Sequence, residues 1–237
     1  MLWLETPRNP DLKLADVAGY SALARARGAI LVVDGTFAPP PLQYLLNLGA
    51  HCVMHSTTKY MAGHSDAVSG ALVTSDQEVA EALASERSIM GNTPGNLESW
   101  LLLRSLRTLR LRVEAQSKSA TVLAEALMKH PQVTAVHHPS LPCHPQYELA
   151  QTQMVGGAGG VFAVELASAE TAQALPTELK LFRNATSLGG VESLIEWRHQ
   201  YDVEVSPCLL RVSVGLEDTE DLLEDFNDAI RKISDAQ

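Results

Sequence analysis

Apolar residues recur at helical spacing at Leu14, Val17, Ala18, Tyr20, Leu23 and Ala24, so Asp11 to Arg27 predicts a helix with Gly28 as its C-terminal cap. Ala29 to Val33 is a continuous apolar run that stops at Asp34, the pattern of a strand buried on both faces of a parallel sheet. Asp34 is thereby placed at a strand's carboxyl end. After the break at Pro39-Pro40-Pro41, Leu42 to Leu48 predicts a short helix ending at Gly49. Cys52 to His55 predicts a second strand, which runs into the polar cluster Ser56 to Lys59. Ser69 to Thr74 reads as a third strand and Glu78 to Met90 as a helix. Alternation of this kind predicts an α/β layered sheet.

The texture changes near Pro94 and Gly95, where Leu97 to Lys129 becomes leucine-rich and arginine-studded with no Pro or Gly inside it. A long helix or a helix pair is expected there, joining two parts of the molecule. His130 to Pro145 reads as a turn-rich connection, Val161 to Glu165 as a strand, Phe182 to Gly190 as a loop, and Leu209 to Val214 as a further strand. The acidic tail has helical spacing at Leu222, Leu223, Phe226 and Ile230. The expected organisation is a first domain over 1–110 and a smaller α+β domain over 111–237.

At 237 residues, the chain holds one to two domains of the usual ~150 residues. Its hydrophobic share of 46% and charged share of 19% are those of a folded globular protein. A formal charge of −10 argues against a surface built for nucleic acid. No stretch approaches the ~18 uninterrupted apolar residues of a membrane span, and the first ten residues lack a signal peptide's apolar run, so no membrane partner and a cytoplasmic setting are expected. Cys52, Cys143 and Cys208 are far apart and never form C-x-x-C, which suggests small apolar filler and neither a disulfide framework nor a zinc site.

In open α/β sheets ligands collect beyond the carboxyl ends of strands, which directs attention to Asp34 with Thr36 and to Ser56 through Lys59. A lysine desolvated at a crowded strand end can act as a Schiff-base nucleophile, and a nearby carboxylate can hold a pyridinium nitrogen protonated. Both demands belong to pyridoxal 5'-phosphate (PLP). Ser56 and Thr58 add hydroxyls suited to a phosphate. By itself, however, the pattern is equally that of a surface lysine after a strand.

Several motifs extend that reading. Val33-Asp34-Gly35-Thr36-Phe37-Ala38-Pro39 is followed by His55-Ser56-Thr57-Thr58-Lys59-Tyr60-Met61-Ala62-Gly63-His64-Ser65-Asp66. Glu5 to Pro10, Leu103 to Leu109, Pro139 to Pro145, Ser187 to Glu196 and Leu210 to Gly215 complete the set. In that order they resemble the cystathionine gamma-synthase/beta-lyase family, the Cys/Met-metabolism group of PLP-dependent enzymes. The resemblance implies an aspartate aminotransferase-like, fold type I architecture, with a partial large domain and a C-terminal α+β small domain. It also implies a lyase or transferase of transsulfuration acting on a small amino-acid substrate. In the roles it implies, Lys59 carries the cofactor and moves the substrate's alpha proton, and Asp34 pairs with the pyridine nitrogen. Ser56 and Thr58 bind the phosphate, Thr36 joins the cofactor site, and Asn9 touches the phenolic oxygen. Arg211 with Ser187 holds the substrate carboxylate, as the two parallel hydrogen bonds of a guanidinium allow. Without the resemblance, Arg211 also reads as a strand arginine in a surface ion pair.

Full-length members of the family carry a segment ahead of the point where this sequence starts. It supplies a Gly-containing phosphate loop, a tyrosine over the cofactor ring and a Tyr/Arg pair for the neighbouring subunit. The expectation is therefore a homo-oligomer once that segment is supplied, and the alternative is a truncated non-catalytic paralogue or partner of a full-length homologue. Gly35 stands where the family usually has asparagine, which removes a side chain near the ring. Trp197-Arg198 replaces the usual His-Pro, and the stretch from His199 to Leu210 is shorter.

Other signals have plainer readings. His51 and His55 are spaced i, i+4 without a carboxylate to complete a metal site, so no metal is expected. His137, His138 and His144 read as loop residues, and Gly156 to Gly160 as a flexible lead-in to a strand. Arg104, Arg107, Arg110 and Arg112 read as a solvated helix face.

Overall fold

A computed structural model of the chain describes residues 1–235. The first sheet is built from β1 (Leu2–Glu5), β2 (Leu31–Asp34), β3 (Cys52–Ser56) and β4 (Gly70–Val73), in that order, with α1 (Val17–Ala26) between β1 and β2. β1, β2 and β3 are parallel and β4 is antiparallel to β3. The buried run Leu31, Val32 and Val33 sits in the middle, paired on both sides, as a two-faced apolar strand requires.

The predicted first helix is shorter than its periodicity. It begins at Val17 because the Asp16 carboxylate accepts the Gly19 N–H (3.0 Å), an N-cap that stops the helix from extending back to Asp11. Gly28 does close it, with φ +58°. Leu42 to Leu48 is a chain of i to i+3 turns and not the predicted helix, closed by Gly49 at φ +95°.

Two helices follow β4: α2 (Gln77–Met90) and α3 (Asn96–Leu106). The long arginine-studded stretch is a helix pair, α3 and α4 (Leu109–Leu127), broken at Arg107-Thr108. The expected turn-rich connection contains a strand, β5 (Val133–His137). Beyond it come α5 (Tyr147–Gln153), β6 (Val161–Leu166), α6 (Ala169–Glu178), β7 (Arg183–Asn184), β8 (Leu194–Trp197), β9 (Leu209–Ser213) and α7 (Thr219–Asp235). The second sheet runs β5-β6-β9-β8-β7, antiparallel except between β7 and β8. None of the described helices is long and apolar enough to cross a membrane.

Burial forms three clusters. One lies under α4, α6 and α7 against the second sheet and includes Phe162, Ile195, Val212 and Phe226. Another packs Val17 and Ala24 of α1 onto Leu31, Val33 and Val53. The third bridges the two halves, joining Leu12, Phe37 and Tyr60 to Val113, Val161, Ala163 and Leu209. The glycine run is part of this seam and no flexible lead-in: a Cβ on Gly156 would stand 1.9 Å from the Pro41 carbonyl oxygen. Of the cysteines, Cys52 is buried as filler, whereas Cys143 is exposed.

Candidate active site

Parallel pairing brings the ends of β2 and β3 side by side, with Asp34 in register with Met54. Thr36 ties the two ends together: its N–H donates to Asp34 Oδ1 (2.9 Å), and its hydroxyl accepts the Ser56 N–H (2.8 Å). Beyond Ser56 the chain folds into a tight turn, in which the Lys59 N–H donates to the Ser56 carbonyl and the Gly63 N–H to the Lys59 carbonyl. The Thr58 hydroxyl donates to the Ser69 carbonyl (3.2 Å) and accepts the Ser69 N–H (3.1 Å), pinning this turn to the start of β4.

Lys59 is half-buried, and its Nζ donates to Ser187 Oγ (3.2 Å) from the opposite half of the molecule. Burial lowers its pKa below the ordinary lysine value; the Arg211 charge pushes the same way and Glu196 opposes. Arg211 on β9 is 3% exposed. Its Nη1 donates to Asn9 Oδ1 (3.0 Å), and its Nη2 donates to the Thr186 and Ser187 carbonyls. Asn9 lies on the loop after β1, where its N–H donates to Glu5 Oε1 (3.3 Å). Asn9, Lys59, Ser187 and Arg211 therefore form one connected group across the seam, while Asp34, Thr36 and Ser56 form another at the adjoining strand ends. An open cleft of about 780 Å³, lined by Thr58, Asp66, Thr93, Glu98 and Ser187 among others, lies against them.

Sequence reasoning missed Glu196. It is 1% exposed and faces Arg211 directly across the β8–β9 pairing, with Oε1 at 2.8 Å from Arg211 Nη2. Burial raises its pKa, while Arg211 and Arg198 pull it back down. Its signal was the alternation of Leu194-Ile195-Glu196-Trp197 opposite Leu209 to Ser213, which needs the strand register to be read.

Arg112 departs from the expected solvated face. It is buried, donating to the carbonyls of Tyr60 (2.7 Å), Met61 and Ser105, so it clamps the residues that follow Lys59. A Cβ on Gly63, at φ +68°, would fall 2.0 Å from Arg112 Nη1. Tyr60 is wholly enclosed; its hydroxyl accepts the Gly160 N–H (3.0 Å), and burial raises its pKa well above the usual phenol range. Gly189, at φ +74°, lets the Ser187 loop approach this point, since a Cβ there would meet the Tyr60 nitrogen at 2.7 Å.

Gly35 is a close-packing position. A Cβ there would lie 2.6 Å from Leu45 Cδ1 and 3.0 Å from His55 Cε1. His51 serves the backbone, its Nδ1 accepting the Leu31 N–H (3.1 Å). His138, expected in a loop, is fully buried; its ring nitrogens contact Ser140 Oγ and the Gly159 carbonyl. The stretch after β8 folds on itself, with Trp197 Nε1 donating to the Pro207 carbonyl (2.7 Å).

Comparison with known proteins bears on this arrangement. The family described as Cys/Met metabolism PLP-dependent enzyme matches residues 1–231. The cystathionine gamma-synthase of Mycobacterium tuberculosis (strain ATCC 25618 / H37Rv) is 44% identical, over 97% of this chain and 61% of its own length. The cystathionine gamma-lyase of Dictyostelium discoideum is 42% identical, over 98% of this chain and 63% of its own length. Among solved structures, the apo methionine gamma lyase CalE6 of Micromonospora echinospora superposes with a TM-score of 0.93 at 42% identity, covering 97% of this chain and 64% of that one. The chain thus spans about three fifths of the length of the curated relatives it matches.

Proposed function

The chain belongs to the Cys/Met metabolism family of PLP-dependent enzymes, and from that premise we propose that it performs lyase or transferase chemistry on sulfur amino acids. The reaction is elimination or replacement at the beta or gamma carbon of cystathionine or an activated homoserine. The observation that carries this reading is Lys59, desolvated, tied to Ser187 and set beside the Arg211 charge. The same proposal includes the division into a partial large domain over 1–110 and a small domain over 111–237, homo-oligomeric assembly and a cytoplasmic setting.

The donor set fits the cofactor. An amine with a lowered pKa and a carboxylate stand at neighbouring strand ends, as a carbonyl and a pyridine nitrogen require. Lys59 would hold the carbonyl carbon and Asp34 the ring nitrogen. Ser56, whose hydroxyl has no hydrogen-bond partner among the described residues, would take the phosphate first. Thr58 would share it from a hydroxyl already bonded to Ser69, with Thr36 and Asn9 completing the contacts. When bound, PLP supplies an electron sink for negative charge at the substrate's alpha carbon.

This chain's own residues do the rest. Arg211 and Ser187 orient the substrate carboxylate, placing the alpha carbon near Lys59 Nζ. Burial lowers the pKa of that nitrogen and so favours its neutral form, the form that can take the alpha proton and return it. Arg112 and Gly189 keep the Lys59–Tyr60 segment in one position.

Turnover of cystathionine, followed by keto-acid and thiol release, and of an O-acylated homoserine with cysteine, followed by thiol consumption, tests the reading. Lys59→Ala is expected to lower it by at least ~10³-fold. Undiminished turnover in that variant would refute it.

A further inference from the structure

Among the described residues Arg211 has a single charged partner, Glu196; its other contacts are the neutral oxygens of Asn9, Thr186 and Ser187. A substrate carboxylate arriving at Arg211 is chemically the same kind of group as the Glu196 side chain and must compete with it. Close by stands a second guanidinium: Glu196 Oε1 is 2.8 Å from Arg211 Nη2 and 3.4 Å from Arg198 Nη1. One carboxylate thus serves two arginines, and it does so incompletely. Glu196 Oε2 and Arg198 Nε are both buried without a hydrogen-bond partner among the described residues. One is an acceptor and the other a donor, two residues apart in sequence.

We propose that Glu196 holds the place of the substrate's alpha-carboxylate on Arg211, and that Arg198 receives Glu196 when an amino-acid carboxylate takes that place. Rotation of the Glu196 side chain toward Arg198 pairs the two orphaned atoms. It also leaves Arg211 free to grip the incoming carboxylate through parallel hydrogen bonds. The incoming carboxylate brings the second negative charge, so that after the exchange each of the two arginines has a carboxylate of its own. Unpaired buried polar groups are costly, so the exchanged arrangement gains what the present one lacks. Arg198 is a positioning residue here: it acts on the substrate only through Glu196.

The inference rests on the reading that Arg211 binds the substrate carboxylate. Its test is calorimetric titration of the purified chain with N-acetylglycine, a carboxylate whose blocked amine cannot react with a carbonyl. Glu196→Gln is expected to bind about tenfold more tightly than the wild type, since the competitor has lost its charge. Arg198→Gln is expected to bind about tenfold more weakly, since displaced Glu196 then has no partner. In the double variant, Arg198→Gln should add no penalty to Glu196→Gln. A penalty that persists without Glu196, or an Arg198→Gln affinity equal to wild type, overturns the exchange. The Arg198 side chain is partly exposed, so that variant decides the matter even should Glu196→Gln fail to fold. Arg211→Lys separates the two claims. If it leaves N-acetylglycine binding intact, or if no variant binds the probe, the carboxylate reading of Arg211 fails. If it abolishes binding while Glu196 and Arg198 show no coupling, only the exchange fails.

Discussion

Phe162 and Leu72 both lie in strands, yet Phe162 in β6, an interior strand of the five-stranded sheet, is wholly enclosed, while Leu72 in β4 is 50% exposed. Their surroundings differ in the same sense. The five-stranded sheet carries α4, α6 and α7 and gathers 22 buried residues into one cluster. The four-stranded sheet ends on β4, and α2 behind it buries none of its residues, while α3 buries only Ser105. Ile89, Met90, Leu97, Trp100 and Leu103 stand open on those helices. The second half therefore closes a large core of its own, whereas the first half has a smaller one under α1 and shares the rest of its burial with the seam. The candidate site draws on both: Arg211 and Ser187 come from the closed half, Asp34, Ser56 and Lys59 from the open one. Their alignment depends on the shared cluster around Tyr60 and on the Arg112 clamp.

The sharpest way to break this contrast is to truncate a side chain in the closed core. Phe162→Ala should cost about 3–5 kcal/mol in denaturant unfolding, the range for a large buried aromatic. A loss under ~1 kcal/mol would mean that the second core is not as closed as its burial indicates.

A second difference lies in pH. Burial, aided slightly by His144 and opposed by the Gly159 carbonyl, lowers the pKa of His138 to about 4. The folded state thus favours the neutral ring, and between about pH 6.5 and 4 the unfolded chain binds the extra proton. Stability is then fully present above the unfolded value and falls as pH drops toward 4, by on the order of 3 kcal/mol if this group acts alone. Thermal melts across that window should flatten in His138→Asn, whereas an unchanged slope would assign the acid loss to other groups.

Leu72→Ser is expected to have the smallest effect, within about 0.5 kcal/mol in the same unfolding measurement, because its side chain is already half in water. A loss comparable to that of Phe162→Ala would erase the distinction between the halves.

How far the sequence could be read follows the same division. β2 and β3 were legible because each is an apolar run stopped by polar residues, which also located Asp34 and Lys59. β1 was not, since Leu2-Trp3-Leu4-Glu5 is too short to show a period and is defined by pairing with β2. α6 was hidden by Pro176 within it, and β5 by the histidines and prolines around it. Turns 42–48 imitate a helix because leucines spaced for a helix also serve i to i+3 turns. In the site, local pattern suggested Lys59 and Asp34, whereas Asn9, Ser187 and Arg211 entered through family resemblance. Glu196 required the register that sets it opposite Arg211, and Arg112 required knowing which face of α4 meets the Lys59 turn. Contacts that span the seam, such as Asn9 to Arg211, leave no trace in local spacing.

The central claim is that Lys59 and its neighbours still form a site for PLP within these residues. The direct measurement is the visible absorption spectrum of the purified chain after PLP is added and the excess removed, with Lys59→Ala treated alongside. The account predicts a yellow band in the wild type that is missing from the variant. A folded wild-type chain with no such band, or a band equally strong in Lys59→Ala, would contradict it.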